Sequence, residues 1–308
     1  VSCQYREYVV RIGFAVPVAG AWATVENQLQ VARLAEQLGY ESLWTLQRIL
    51  NPADPADTTY RNVPDPLLTM AYLAGHTSTV RLGVAVLNLP FVSPALLAKQ
   101  TATLDRISHG RLDLGLGLGW MPAEFTASGV STARRGARAQ EFLAVLTALW
   151  TGHAGPFDGE FYQLPEVLMT PTPVQRPRPP ILLGGASQAA LRRAGRLADG
   201  WVSASGHAPH LLRPAIDTVR QAATDAGRDP DSLRFVCRVA LGGPVHGPDS
   251  PLSGSYPRIR QGTAWLAEQG VTELFYDPNF DPTITGPDVP PDIALTAVTD
   301  MMAALAPS

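Results

Sequence analysis

RLGVAVLNLPFVSPALLAKQTATLDRISHGRLDLGLGLG, residues 81–119, contains one complete strand–helix–strand repeat, and its reading decides the fold. Residues 81–89 are apolar on both faces, as a parallel strand covered by helices must be. Residues 94–108 form an amphipathic helix that ends near Gly110, and 111–119 is the next strand. The same unit recurs outward in both directions. Towards the N-terminus, VVRIGFAV (9–16) is a strand, followed by a helix from Thr24 with Val25, Leu29, Ala32, Ala35 and Leu38 on one stripe. Gly39 ends that helix, YESLWTL (40–46) is the second strand, and helix 66–77 leads into residue 81. Towards the C-terminus, helix 132–151 precedes the strand PILLGG (180–185), and helix 187–197 precedes GWVSAS (200–205). Helix 209–226, strand LRFVCRVAL (233–241), helix 257–269, strand VTELFYD (271–277) and helix 292–305 complete the chain.

Eight strands, each followed by a helix, predict an α/β chain closed into a single (β/α)8 TIM barrel over residues 1–308, with a doubly wound sheet as the rival. Excursions interrupt the pattern after the second and seventh strands (47–65 and 242–256) and between the fourth helix and fifth strand (152–179). Those after the second and seventh strands fall at the barrel face where active sites form. Segment 152–179 contains PFDGEFYQL, which predicts a short hairpin around Asp158-Gly159.

The 308 residues are 45% hydrophobic and 17% charged, which fits a globular chain with a large core. A formal charge of −3 with no basic block argues against nucleic acid as a partner. The longest apolar stretch, 82–98, is broken by Asn88, Pro90, Ser93 and Pro94, so no membrane span is expected. Two cysteines, Cys3 and Cys237, cannot build a disulfide framework, and together with the absence of a signal peptide they suggest a cytoplasmic protein. Of the 24 lysines and arginines only Lys99 is a lysine, which excludes a P-loop and leaves one residue able to form a Schiff base.

GLGLG (115–119) lacks the third glycine of a dinucleotide fingerprint. At a barrel strand end the same glycines either admit a flat ligand or allow close packing. GGAS (184–187), between a strand and a helix start, is a candidate anion nest of backbone N–H groups, against the plain reading of a tight turn. His207 and His210 have helical spacing but no third ligand, and His76, His109, His153 and His246 are scattered, so no metal site is expected. Hydrolase signatures are missing. Trp22 and Trp120 are candidate walls of a substrate site, with rim packing as the equal alternative.

Residues 104–130, LDRISHGRLDLGLGLGWMPAEFTASGV, resemble the luciferase-like family of flavin- and deazaflavin-dependent oxidoreductases, particularly its F420-using branch. GYESLW (39–44), LNLPFVSPALLAKQTATLD (87–105), FDGEFYQL (157–164) and PPILLGGASQAALRRAGRLADGWVSAS (179–205) extend the resemblance over most of 9–240. It implies a cofactor ring at the C-terminal mouth, backed by a bulged third strand with a cis bond at Ala85-Val86 and Asn88 beyond it. It also implies ring and tail contacts at Gly117, Gly119 and Trp120, and a phosphate nest at Gly184, Gly185, Ala186 and Ser187, with Ala204 and Ser205 close by. The family's Asp-His at the end of the second strand is replaced by Gln47-Arg48, the candidate catalytic positions. Arg48 stays protonated and cannot be a general acid near neutral pH, yet it can hold an anionic substrate or stabilise an anionic ring. As a charge at a strand end it is expected to matter little to the core. The resemblance implies hydride transfer between F420 and a small-molecule organic substrate. FMNH2-dependent oxygenation and flavin binding without catalysis are the alternatives. Arg192, Arg193 and Arg196 are candidates to attract an acidic cofactor tail, and a homodimer through the second and third helices is implied.

Overall fold

In the computed structural model, which describes residues 10–51, 53, 60–242 and 250–307, strands and helices alternate along the chain. Cys3 and His246, and parts of the excursions 47–65 and 242–256, lie outside the described residues. The first half contains β1 (Arg11–Ala15), α1 (Val25–Gln37), β2 (Ser42–Thr45), α2 (Pro66–Ala74), β3 (Arg81–Asn88), α3 (Pro94–Ile107) and β4 (Leu112–Gly117), then α4 (Pro122–Ala127) and α5 (Arg135–Trp150). Four two-residue strands follow: β5 (His153–Ala154), β6 (Phe157–Asp158), β7 (Gln163–Leu164) and β8 (Val167–Leu168). The second half holds β9 (Ile181–Gly184), α6 (Gln188–Leu197), β10 (Gly200–Val202), α7 (Leu212–Asp225), β11 (Arg234–Ala240), α8 (Tyr256–Glu268), β12 (Glu273–Asp277), α9 (Pro282–Thr285) and α10 (Pro291–Leu305). Side chains of Thr24, Asp65, Ser93 and Ser187 accept from backbone N–H groups in the first turns of α1, α2, α3 and α6, and Pro66 and Pro94 open their helices where no N–H is needed.

Eight strands pair in parallel and close in the order β1-β12-β11-β10-β9-β4-β3-β2, so the expected barrel forms and the open doubly wound sheet does not. Period-two alternation sorts the side chains. Phe14, Leu43, Leu82, Leu114, Phe235 and Leu274 point outward and are buried under the helices. Inward-facing residues form layers. At the N-terminal end, the fully buried Asp113 takes two hydrogen bonds from Arg81 (2.8 and 2.7 Å) and two from Arg234 (2.7 and 3.0 Å). Arg234 also reaches Glu273 at 2.7 Å. Above this ionic floor Trp44 and Phe275 stack with centroids 5.1 Å apart, packed with Ala15, Leu182, Val202 and Val236. A Cβ on Gly83 would lie 2.4 Å from the Trp44 indole, which explains a glycine in mid-strand. The plug is solid, and the space left open is at the C-terminal mouth.

Two local features differ from the sequence reading. The six-residue α4 was not expected, because one and a half turns show no apolar period and Pro122 reads as a break. The hairpin forms between β6 and β7, but its loop spans 159–162 instead of turning on Asp158-Gly159. The Glu141 carboxylate fixes it by accepting from the N–H groups of Glu160, Phe161 and Tyr162 at 3.0, 2.7 and 3.2 Å. No described helix is long and apolar enough to cross a membrane.

Candidate active site

β3 shifts register against β4 between Val84 and Leu87, and the Ala85–Val86 bond inside that bulge is cis. The facing glycines make room for it. A Cβ would fall 2.1 Å from the Val84 carbonyl at Gly115, 2.5 Å from Val86 Cγ2 at Gly117, and 3.3 Å from Val86 Cγ1 at Gly184. The packing reading of GLGLG holds at Gly115 and Gly117, and Gly117 also borders open space.

That space is a cavity of about 590 Å³ at the strand ends. The candidate catalytic positions, ring and tail contacts, and nest residues all line it. Gln47 and Arg48 follow β2; Ala85, Val86 and Asn88 belong to β3; Gly117, Gly119 and Trp120 end β4 or follow it. Gly184, Gly185, Ala186 and Ser187 end β9 or follow it, and Ala204 and Ser205 follow β10. A hydrogen-bond chain joins three of these ends. Gln47 Oε1 accepts from the Asn88 N–H at 2.9 Å, and Asn88 Oδ1 accepts from the Gly119 N–H at 3.0 Å. Gln47 thus uses its carbonyl to hold the bulged strand.

Beside β9 the cavity is lined by a tight turn, a helix start and a buried arginine. Gly185 has φ +115°, and Ser187 caps α6 by accepting from the Ala190 N–H at 3.3 Å. Arg193, one turn along α6, is buried against the cavity, and its Nε has no hydrogen-bond partner among the described residues. Burial, then the neighbouring charges of Arg196 and Arg135, depress its pKa. A Cβ on Gly136 would lie 2.6 Å from Arg193 Nη2, so that glycine leaves the guanidinium its space. Of the three arginines expected near a tail, only Arg193 faces the site, because Arg192 and Arg196 are exposed.

After β2, Arg48 departs from the expectation for a strand-end charge. Its side chain is 5% exposed, and Nη1 donates to Oε2 of the fully buried Glu124 at 2.9 Å. The second oxygen, Oε1, accepts from the Ile49 N–H at 2.7 Å. The Tyr60 and Trp120 ring centroids lie 4.6 and 4.8 Å from the guanidinium carbon. Arg238, also lining the cavity, donates from Nε to Asp277 at 2.6 Å. Trp120 is 62% exposed at the mouth, whereas Trp22 is buried in the outer core and cannot wall the site.

The model of the luciferase-like monooxygenases matches residues 10–241. The chain belongs to the luciferase-like monooxygenase family. An uncharacterised protein of Mycobacterium tuberculosis is 36% identical over 213 residues, 65% of this chain and 72% of its own length. The FMNH2-dependent dimethylsulfone monooxygenase of Pseudomonas putida is 33% identical over 66% of this chain and 55% of its own. Among solved structures, a monooxygenase of Streptomyces bottropensis superposes with a TM-score of 0.79 at 23% identity, covering 96% of this chain and 98% of its own. An F420-dependent secondary alcohol dehydrogenase gives 0.77 at 17%, covering 96% and 99%. These two structures share the fold.

Within this luciferase-like barrel, other chemistries find no support among the described residues. Lys99 donates to the Thr170 carbonyl on the outside and does not line the cavity. Burial pushes the Cys237 thiol up to about 12, too high for a thiolate nucleophile at neutral pH. No described group of three or more His, Cys, Asp and Glu could hold a metal. Sequence reasoning missed Tyr60, Arg135, Gly136, Ser203 and Arg238 as lining residues. Arg238 had a usable signal, since strand alternation places it on the same inward face as Arg234 and Val236.

Proposed function

We propose that the cavity binds F420, phosphate at the Gly184–Ser187 nest and ring against Val86, and that the protein is an oxidoreductase moving a hydride between that cofactor and a small organic substrate. The observation that carries this reading is Arg193, a buried guanidinium with an unpartnered Nε at the nest and Arg135 and Arg196 as its charged neighbours. A buried cation without a counter-charge is costly, so the fold retains it where an anion is to bind. Arg193 and Arg135, which both line the cavity, suit a phosphodiester followed by an acidic tail better than one phosphate. The residues fit the group, because Gly117 and Gly184 leave open the cradle that a Cβ would narrow.

F420 supplies a ring carbon that carries a hydride. The protein's part is placement. The bulge presents Val86 to one side of the cavity, the Gln47–Asn88–Gly119 chain locks three strand ends, and Trp120 and Tyr60 shield the mouth from water. Arg48 offers hydrogen bonds and positive charge but no proton at neutral pH. That residue favours a second reading, FMNH2-dependent oxygenation in the same cavity, since no titratable acid occupies the position, and the Pseudomonas relative supports it. Binding by itself, without catalysis, is a third and lesser reading. The exposed Leu68, Leu96 and Ile107 on α2 and α3 support the proposal of a homodimer through those helices.

Titrating the protein with F420 and with FMN in parallel at moderate salt tests the first reading. F420 is expected to bind more tightly; tight FMN binding without F420 binding promotes the monooxygenase reading.

A further inference from the structure

The surroundings of Arg48 leave one edge of its guanidinium without an acceptor, which bears on what the substrate is; the inference rests on reading the adjoining cavity as a cofactor-and-substrate site. Nη1 is engaged by Glu124. Among the described residues, none accepts from the buried Nε or from Nη2. These two nitrogens form the edge of the planar fork that matches the two oxygens of a carboxylate. Leaving a buried charged donor unsatisfied is destabilising, so the site lacks an acceptor that a ligand would supply. Glu124 cannot supply it, because both its oxygens are already committed, to Arg48 and to the Ile49 N–H. Nor does the ion pair with Glu124 preclude a second carboxylate. Arg234, in the floor of the same barrel, bridges Asp113 and Glu273 with one guanidinium. The other guanidinium nearby, Arg238, stands over Phe280 at 4.8 Å, beyond the Tyr60–Phe280 ring pair, and is bound to Asp277.

We propose that the substrate is an organic acid whose carboxylate docks in plane on the Nε–Nη2 edge of Arg48, with Tyr60 and Trp120 flanking the carbon chain next to it. Glu124 is then a positioning residue that holds the guanidinium with this edge free. The assignment concerns the substrate and leaves the nest after β9 for the cofactor's own anion.

The test is calorimetric titration of the full chain, free and loaded with F420 or FMN, with hexanoate and benzoate against the neutral isosteres hexanamide and benzamide. The acids are expected to bind at least about tenfold more tightly than the amides. Arg48→Met combined with Glu124→Gln removes both charges and leaves no orphan, and should bring acid and amide within about twofold. Arg48→Lys, which keeps a cation beside Glu124 but has no fork, should lose most of the preference as well. Equal binding of acid and amide to the wild type, or a preference undiminished in either variant, overturns the proposal. So does abolition of acid binding by saturating cofactor, since the edge would then belong to the ring. If neither cofactor binds while the acid preference holds, the cofactor reading alone fails; cofactor binding without the acid preference defeats this proposal alone.

Discussion

Arg48 shows how one residue changes meaning between sequence and structure. As a strand-end charge it should be separable from the fold, yet its side chain is 5% exposed and paired with a fully buried carboxylate. Arg48→Ala would strand Glu124 without a counter-charge, and the expected loss is about 3–5 kcal/mol of stability, read as a lowered denaturation midpoint. The double variant Arg48→Met/Glu124→Gln should recover most of it; a single alanine variant that melts like the wild type would contradict the buried pairing. Gly185 likewise cannot serve as a clean probe of the nest. At φ +115°, with Ala190 Cβ 2.8 Å from where its Cβ would sit, Gly185→Val is expected to lose about 1–3 kcal/mol of stability whatever it does to binding. Gly184 is the better position, because its backbone is not left-handed and the nearest obstacle is a Val86 methyl at 3.3 Å. Gly184→Ala should shift stability by less than about 1 kcal/mol and weaken cofactor binding by about tenfold, measured by titration and thermal melting together.

At the scale of elements, the barrel floor couples β3, β4 and β11 through the Asp113 carboxylate, and Arg234 extends the link to Glu273 on β12. Burial pulls the Asp113 pKa upward, but the hydrogen bonds from Arg81 and the charge and hydrogen bonds of Arg234 outweigh it and hold it at about 2. A folded pKa below the unfolded one contributes stability that is present above pH of about 4 and lost as pH falls through 2. Acid titration of the unfolding free energy should therefore show a loss of about 2 kcal/mol in that window. In Asp113→Asn, less stable at neutral pH, that slope should be absent; an unchanged slope would assign acid sensitivity elsewhere. The elements themselves were largely legible, because strands buried on both faces and helices with one apolar stripe leave unmistakable periods. α4 and the hairpin loop were not legible. A six-residue helix is shorter than its own pattern, and the loop 159–162 is shaped by Glu141 from another helix, which no local turn rule contains. Cavity residues carried by backbone motifs, such as Gly184 to Ser187, could be placed from the sequence. Arg135 and Tyr60 could not, since they reach the mouth through tertiary packing.

For the whole molecule, the barrel separates stability from chemistry along its axis. The ionic floor and the Trp44–Phe275 plug close the N-terminal end, and the cavity with its arginines opens at the other. At the nest, Arg193→Met is expected to weaken F420 binding by roughly 10- to 100-fold while leaving stability unchanged or slightly raised, because an unpartnered buried donor is removed. The most direct measurement is the dissociation constant of F420, beside that of FMN, from about 50 to about 400 mM salt for the wild type and Arg193→Met. F420 should bind more tightly than FMN, weaken more steeply with salt, and lose part of that slope in the variant. FMN binding tightly at every salt concentration while F420 fails to bind would contradict the account.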